Sequence, residues 1–214
     1  MENEDETLLR AIRVAMAEQA SGGAAMEYLN AAKAARGGWR RFLRVWKGAS
    51  GEPHVSFVCL QALQVAADRF SANPEPDAWP ELRVLTLSWV RSHSVAGSLS
   101  QVPAFLRTKI AVIFALLLQS CFPQQWASPV SDLAAVVQDG STARFALRSL
   151  MMLIEEVMVY SAGRKEAEVV RNSEVKRALK ETGESARIVD LLLNILASAI
   201  KAQDDELLAI QVED

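Results

Sequence analysis

Apolar residues recur along almost the whole chain at the three- and four-residue spacing of amphipathic helices. No segment alternates with the two-residue period of a strand. The pattern predicts a first helix over residues 6–20, a small Ala-rich helix that ends at Gly37 and Gly38, and a short basic helix over 39–48. Further helices follow, separated by turns that contain Gly, Pro and Ser. We therefore expect an all-α protein.

Two of the predicted helices are apolar on more than one side. Residues 105–126, FLRTKIAVIFALLLQSCFPQQW, contain the run 110–118, which is apolar all round. That run is far shorter than the roughly 20 residues a membrane span requires, so it predicts a buried helix and no membrane insertion. The segment 142–160, with Ser141 as its N-cap, carries two apolar stripes, and we expect both to be buried.

The helices come in pairs joined by short polar turns, and the pattern begins again roughly every 30 to 50 residues, which is typical of HEAT-like or armadillo-like repeats. In such a stack an inner helix lies between the repeat before it and the repeat after it. A compact bundle is the alternative. We predict a HEAT-like superhelix (α-solenoid) of about four to five helix pairs, with a leading helix over 1–20, two repeats over 21–100, one over 101–139, one over 140–203 and the start of another over 204–214.

The last segment of the chain, AQDDELLAIQVED, resembles the beginning of a new helix. A solenoid needs a polar cap at its end, and none is visible in this segment. We therefore expect the array to be truncated at its C-terminus.

Composition limits the function further. Half of the 214 residues are hydrophobic, which favours a folded protein. The net charge of −3 argues against extensive coating of nucleic acid, although not against a local basic strip.

Cys59 and Cys121 are the two cysteines, each in an apolar helical pattern, and we expect reduced core thiols. The acidic start MENEDETLLR resembles neither a secretory signal nor a transit peptide, which favours the cytosol or nucleus.

Catalytic chemistry has little support in the sequence. His54 and His93 lie in or beside turns, with no carboxylate or thiol at a spacing that suggests a dyad or a metal site. Phosphate-binding glycine loops and the common hydrolase motifs do not occur. We expect no enzyme activity, no cofactor, no metal and no small-molecule substrate.

Binding is better supported, first by a basic cluster on the short helix 39–48. Trp39 and Trp46 are interleaved with its charges. The cluster is either a solvated face whose tryptophans point into the core or an electrostatic contact with phosphate or an acidic protein surface. Its members are Arg36, Arg40, Arg41, Arg44 and Lys47.

Two other groups of residues are candidates. The charged segment 164–180 contains glutamates that dilute its basic residues, which favours a solvated face. Around the apolar helix, Arg107, Lys109 and Trp126 form the third group. Trp126, positioned by Pro123, suits a packing role at the corner between two helices, because tryptophan buries a large area.

This third group carries a resemblance to a known family. Residues 105–126 resemble the exportin segment of the β-karyopherin superfamily that contains a Phe, an Arg-Asn-Lys, a long apolar helix and a Tyr-Pro-x-x-Trp elbow. HVSFVCLQALQ and VVRNSEVKRALKE are similar to segments of the tRNA exportins (exportin-t). Thr108, Phe122 and the pair Ala127 and Ser128 depart from that pattern. The residues that carry the likeness are Phe105, Arg107, Lys109, Pro123, Trp126, Arg171 and Asn172.

The resemblance covers about 24–200 of a family several times longer than this chain. It implies a carrier that binds Ran in its GTP form and tRNA, contacts nuclear pore proteins, and moves between nucleus and cytoplasm. By their order within the helix pairs, the helices containing 40–47, 82–91 and 132–137 should lie on the concave side, which would face the partners. The candidate partner-binding residues are Arg40, Arg41, Arg44, Lys47 and Arg91.

Two alternatives share most of these features. One is an exportin for other cargo, such as export-signal proteins or small RNA. The other is a HEAT-repeat scaffold for protein interactions that has no transport role.

Overall fold

The structure, a computed structural model, describes residues 4–17, 23–49, 51–69, 78–159 and 166–202. Every regular element within these ranges is helical, which confirms the all-α prediction. The α-helices are α1 (Glu4–Ala17), α2 (Ala24–Ala34), α3 (Trp39–Gly48), α4 (Pro53–Arg69), α5 (Ala78–Val95), α6 (Ala104–Cys121), α7 (Pro129–Ala134), α8 (Gly140–Leu153), α9 (Glu166–Glu181) and α10 (Glu184–Ala202). A 3₁₀ turn, Leu99–Gln101, precedes α6, and a π-helical turn, Ile154–Met158, continues α8.

One layer of the protein is a row of three long helices. The middle helix, α6, packs against α4 on one side and α8 on the other, whereas α4 and α8 have at most a marginal contact with each other. A closed bundle would bring all three around one centre. The row is the HEAT-like stack predicted from the repeating helix pairs.

A second layer is formed by α3, α5 and α7, which are linked by side chains. Arg40 of α3 pairs with Glu81 of α5, and the rings of Trp46 and Trp89 lie 6.2 Å apart between the same two helices. From α5, Arg83 reaches Asp132 of α7. The three helices expected to face partners therefore share one layer.

The apolar helix α6 is buried along most of its length. By length and composition it could cross a membrane, and it is the one such helix among the residues that the structure describes; 61% of it is buried inside the protein. Ile113, Phe114, Leu117 and Leu118 are each at most 2% exposed. The prediction of a buried helix between two neighbours is confirmed.

The start of α8 differs from the prediction. Asp139, not Ser141, is the N-cap: its carboxylate accepts a hydrogen bond from the backbone N–H of Thr142 at 2.8 Å, and the Thr142 hydroxyl completes a capping box. Asp139 takes this role because it stands in extended backbone just before the first helical residue. Ser141 lies inside the helix and donates to Asp139.

The expectation of two buried stripes on this helix is half wrong. Leu150, Leu153 and Val157 are buried, but Ile154 and Met158 are 45% and 37% exposed. The second stripe leaves the core along the π-helical turn, because no described helix covers that side.

The N-terminal helices are shorter than predicted. The first helix was expected to reach residue 20, but α1 ends at Ala17, and 18–22 lie outside the described residues. α2 ends at Ala34, so Gly37 and Gly38 lie in the turn after the helix and not at its cap. Gly37 has a positive φ, whereas Gly38 has a right-handed backbone and lies against the carbonyl of Ala32. The segment 204–214, predicted to begin another repeat, also lies outside the described residues.

α10 joins the second layer through a buried acid. Glu184 is fully buried, accepts a hydrogen bond from the backbone N–H of Val130 at 2.8 Å and pairs with Arg187. The contact holds the first turn of α7 against α10. On α10, Leu191, Ile195 and Ala199 are buried and Ile188 is partly buried, whereas Leu192 is exposed.

Both cysteines are core thiols, as predicted. Cys59 and Cys121 are free and buried, and burial raises the pKa of each thiol to about 12. At neutral pH both are therefore protonated.

Candidate partner-binding surfaces

The basic cluster lies on α3, whose apolar side is well anchored. Trp39, Phe42, Leu43 and Trp46 are each at most 5% exposed, which turns the charged residues of this short helix outward. This places both tryptophans in the core, as one of the two interpretations of the cluster requires. Stacking of a partner on either indole is therefore not available in this arrangement.

Most of the cluster's arginines are paired within the chain. Arg44 holds Asp5 with two hydrogen bonds of 2.7 and 2.8 Å, and Arg41 donates to the hydroxyl of Tyr28 at 2.6 Å and to the carbonyl of Glu4. The hydrogen bond from Arg44 lowers the pKa of Asp5, and the same bond raises the pKa of Arg44. The acidic first turn of α1 thus neutralises much of the strip.

Sequence reasoning missed this pairing. The acidic N-terminus has a charge opposite to that of α3, but the sequence pattern does not show that the two segments meet. Of the predicted set, Lys47 on α3, Arg91 on α5 and Arg36 in the turn before α3 are exposed, and Arg44 is exposed as well although it holds Asp5. Arg40 adds a stacking contact, its guanidinium lying 4.5 Å from the centre of the Trp39 ring.

The elbow after α6 is built around Trp126. The indole is 1% exposed and packs edge-on against Phe114, with ring centres 5.1 Å apart. Arg83 lies over its face at 5.3 Å. Pro123 precedes it at the cis Phe122–Pro123 peptide. Trp126 therefore fills the corner between two helices, the packing role that the sequence favours.

The segment 132–137 of the second layer is only partly helical. α7 ends at Ala134, and Val136 and Val137 continue in a turn. Asp132 points towards Trp126 and Arg83 and is engaged by both. Any partner that contacts this part of the layer would meet a short helix followed by a turn.

At the opposite end of α6, two signature residues bind α4. Lys109 donates to the side-chain oxygen of Gln64 at 2.7 Å and lies 5.3 Å from the ring centre of Phe57. Phe105 is 42% exposed and meets the same ring edge-on at 5.7 Å. These contacts join two successive repeats.

Arg107, between them in sequence, faces the other way, towards α8. It lines a cavity of about 130 Å³ together with Arg144, Arg148 and Thr108. Burial lowers the pKa of Arg107, and the positive charges of Arg144 and Arg148 lower it further. The guanidinium thus lies in a region of excess positive charge.

Arg171 and Asn172 lie near the C-terminal end of α6. Asn172 is buried; its oxygen accepts from the amide of Gln119 at 2.5 Å and its amide donates to the carbonyl of Glu156 at 2.8 Å. It therefore joins α6, the π-helical turn and α9. Arg171 lines a cavity of about 350 Å³ beside Pro123.

The rest of α9 is a charged surface. Arg177 pairs with Glu181 one turn later at 3.8 Å, and both are more than half exposed. This agrees with the solvated face favoured for the segment 164–180, of which 164 and 165 lie outside the described residues.

The two histidines lie on different helices, His54 on α4 and His93 on α5. His54 is exposed, and His93 stacks on Trp89 with ring centres 4.2 Å apart. In the described part of the chain, no group of acidic, Cys and His residues is suited to a metal ion.

The geometry agrees with the comparison of the sequence with known families. The sequence model of the Exportin 1-like protein family matches residues 103–212, which is just over half of this chain. The chain belongs to this family. The matched range begins one residue before α6 and contains all seven residues on which the exportin likeness was read.

Two curated relatives, both named Exportin-T, make the likeness more specific. Exportin-T of Coprinopsis cinerea is 22% identical over 225 residues, which cover 94% of this chain and 21% of that protein. Exportin-T of Dictyostelium discoideum is 26% identical over 129 residues, which cover 59% of this chain and 12% of that protein. The resemblance to exportin-t is confirmed. The chain spans about a fifth of the length of the first relative.

Proposed function

We propose that this chain is part of a nuclear export receptor for tRNA. In this proposal its repeats supply a surface for Ran in the GTP form and part of the surface for tRNA, and the protein shuttles between nucleus and cytoplasm and contacts nuclear pore proteins on the way. The observation that carries the proposal is the Exportin 1-like match over 103–212, which contains α6, its elbow and α8.

The two-layer stack suits a large protein partner. Stacked helix pairs form an extended surface with one helix from each pair on each side. Lys47 and Arg91 are exposed on α3 and α5, helices of the same layer. In this role the guanine nucleotide belongs to Ran, so the chain needs no cofactor of its own and catalyses no reaction.

The Ran part is tested by pull-down of the chain with GTP-loaded and GDP-loaded Ran. We expect recovery with the GTP form alone. The paired substitution Lys47→Glu and Arg91→Glu should weaken that recovery, because it reverses two exposed charges in the second layer. Lys180→Glu is the control, since it makes the same kind of charge change on α9. Equal recovery with both nucleotide forms would refute Ran binding.

The tRNA part is tested by gel shift at two salt concentrations. Contacts with phosphates release counterions, so the affinity should fall steeply as salt rises. An exportin for other cargo would respond to Ran-GTP without preferring tRNA. A HEAT-repeat scaffold would be indifferent to both ligands, and that result would refute the transport role.

A further inference from the structure

Three arginines line one small cavity between α6 and α8. Arg107 comes from the first turns of α6, and Arg144 and Arg148 come from successive turns of α8. The cavity measures about 130 Å³, and Thr108 adds a hydroxyl to its wall. Nitrogen donors from two neighbouring repeats therefore surround a space of the size of a small ion.

The arginine on α6 has an unused donor. The Nε of Arg107 is buried and has no hydrogen-bond partner among the described residues. A buried donor left without a partner destabilises the fold, so most buried polar atoms in folded proteins have one. Arg144 and Arg148 also take part in other interactions within the protein. The Nε atoms of Arg41, Arg83 and Arg171 are in the same state elsewhere in the described residues, but Arg107 is the one of the four whose side chain lines a cavity together with two further arginines of another helix.

The surroundings favour a negative charge in this place. α6 is 18 residues long, has no acidic residue in its first turn and has no side chain capping its N-terminus, so its partial positive charge is not offset there. Phe145, which is buried, and Met151 form an apolar part of the wall. Low polarity strengthens electrostatic attraction, because less water screens the charges.

We propose that Arg107, Arg144 and Arg148 form a binding pocket for a single phosphate group of an RNA backbone. The guanidinium fork suits phosphate and carboxylate alike. Three forks that approach from two helices suit the oxygens of a tetrahedral phosphate, which radiate in several directions, better than a planar carboxylate. That RNA supplies the phosphate rests on the proposed function.

The pocket is tested first with inorganic phosphate alone. Thermal unfolding of the whole chain is followed in phosphate and in chloride at matched ionic strength. We expect phosphate to raise the midpoint of unfolding, and Arg107→Gln to abolish that rise, because a ligand that binds only the folded state stabilises it. Arg177→Gln, which removes an exposed arginine on α9, should keep the rise. An equal rise in the Arg107→Gln protein would overturn the pocket.

A second variant guards against a folding defect in the first. Arg148→Lys keeps the charge and the aliphatic stem but removes the fork, so it should fold normally and respond less to phosphate. Arg107→Lys is measured in the same way as a separate variant. If both folded lysine variants showed the full rise of the unfolding midpoint in phosphate, the proposal would likewise be overturned.

The source of the phosphate is tested with tRNA. The Arg107→Gln protein should make one phosphate contact fewer. The fall of the logarithm of the binding constant with the logarithm of salt concentration should become less steep by about one, and binding should weaken roughly tenfold. An unchanged slope and affinity would overturn this inference while tRNA binding itself stands. If the unaltered protein responds to phosphate but binds no tRNA, RNA is overturned as the source and the proposed cargo fails with it. A polyglutamate peptide is tested in the same unfolding experiment. If the peptide raised the unfolding midpoint and phosphate did not, the ligand would be an acidic protein, and the proposal would be overturned.

Discussion

The indole Nε1 of Trp126 donates a hydrogen bond of 2.8 Å to Oδ2 of Asp132, and the same oxygen accepts from Arg83. One carboxylate oxygen thereby joins the elbow after α6 to both α5 and α7. Because the indole N–H is satisfied inside the protein and the ring is buried, the exportin signature at this position serves the stack itself.

Replacing Trp126 should therefore destabilise the fold. We expect Trp126→Ala to lower the free energy of unfolding by about 3–5 kcal/mol, because the substitution leaves a large cavity and removes the indole donor. Chemical denaturation followed by far-UV circular dichroism measures the change. Val95→Ala, at a side chain that is 82% exposed, should change the stability by less than about 0.5 kcal/mol. Similar losses for the two variants would contradict the packing role.

Asn172→Ala should cost about 2–3 kcal/mol. The substitution removes hydrogen bonds to Gln119 and to the carbonyl of Glu156, and Gln119 is itself buried. The amide of Gln119 would then lack an acceptor in the core. Asn194→Ala, at an exposed position on α10, is the matched control and should be close to neutral in the same denaturation experiment. A neutral Asn172→Ala would show that the buried bridge contributes nothing.

Two glycines at the ends of one helix should respond in opposite ways to alanine. A β-carbon on Gly38 would lie 2.0 Å from the backbone oxygen of Ala32, so Gly38→Ala must displace the turn between α2 and α3 and should destabilise the protein by more than about 2 kcal/mol. Gly48 has open space around it, and Gly48→Ala should be neutral or stabilising by up to about 1 kcal/mol. Thermal denaturation of both variants checks the contrast, and equal effects would refute it.

The pair formed by Asp5 and Arg44 should make stability depend on pH in acid. The hydrogen bond from Arg44 lowers the pKa of Asp5 below its ordinary value of 3.8. A lowered carboxyl pKa contributes stability above the unfolded value, and that contribution is lost as the pH falls through the folded value. We expect Asp5→Asn to cost about 0.5 kcal/mol at pH 7, since the pair is partly exposed, and nothing well below pH 3.8.

The measurement compares urea denaturation of the two proteins at several pH values. A cost that does not change with pH would mean that Asp5 contributes by something other than its charge. High salt should shrink the difference at pH 7, because the pair lies near the surface.

The stack was predictable from the sequence because a helix that is buried on two sides has apolar residues on both of them. α6 is apolar all round, which predicts burial on both sides, and it lies between α4 and α8. The same logic failed on α8. Its second stripe, which includes Ile154 and Met158, is equally apolar but partly exposed, because periodicity records hydrophobicity and does not show whether a neighbour is present.

The candidate surfaces were harder to predict, since they depend on residues far apart in the chain. The charges of α3 were visible, but their pairing with Asp5 across 39 positions was not. Arg107 belongs to the family signature, whereas nothing in the sequence pattern relates Arg144 and Arg148 to it. Only the packing of α6 on α8 brings these three charges to one cavity.

The buried carboxylate of Glu184 also has a consequence for synthesis on the ribosome. It accepts the backbone N–H of Val130, at the start of a helix of six residues that is too short to persist unaided. The acceptor is made 54 residues after the donor. We therefore expect α7 to become stably helical only after the ribosome has synthesised Glu184, although the residues of α7 themselves are made much earlier.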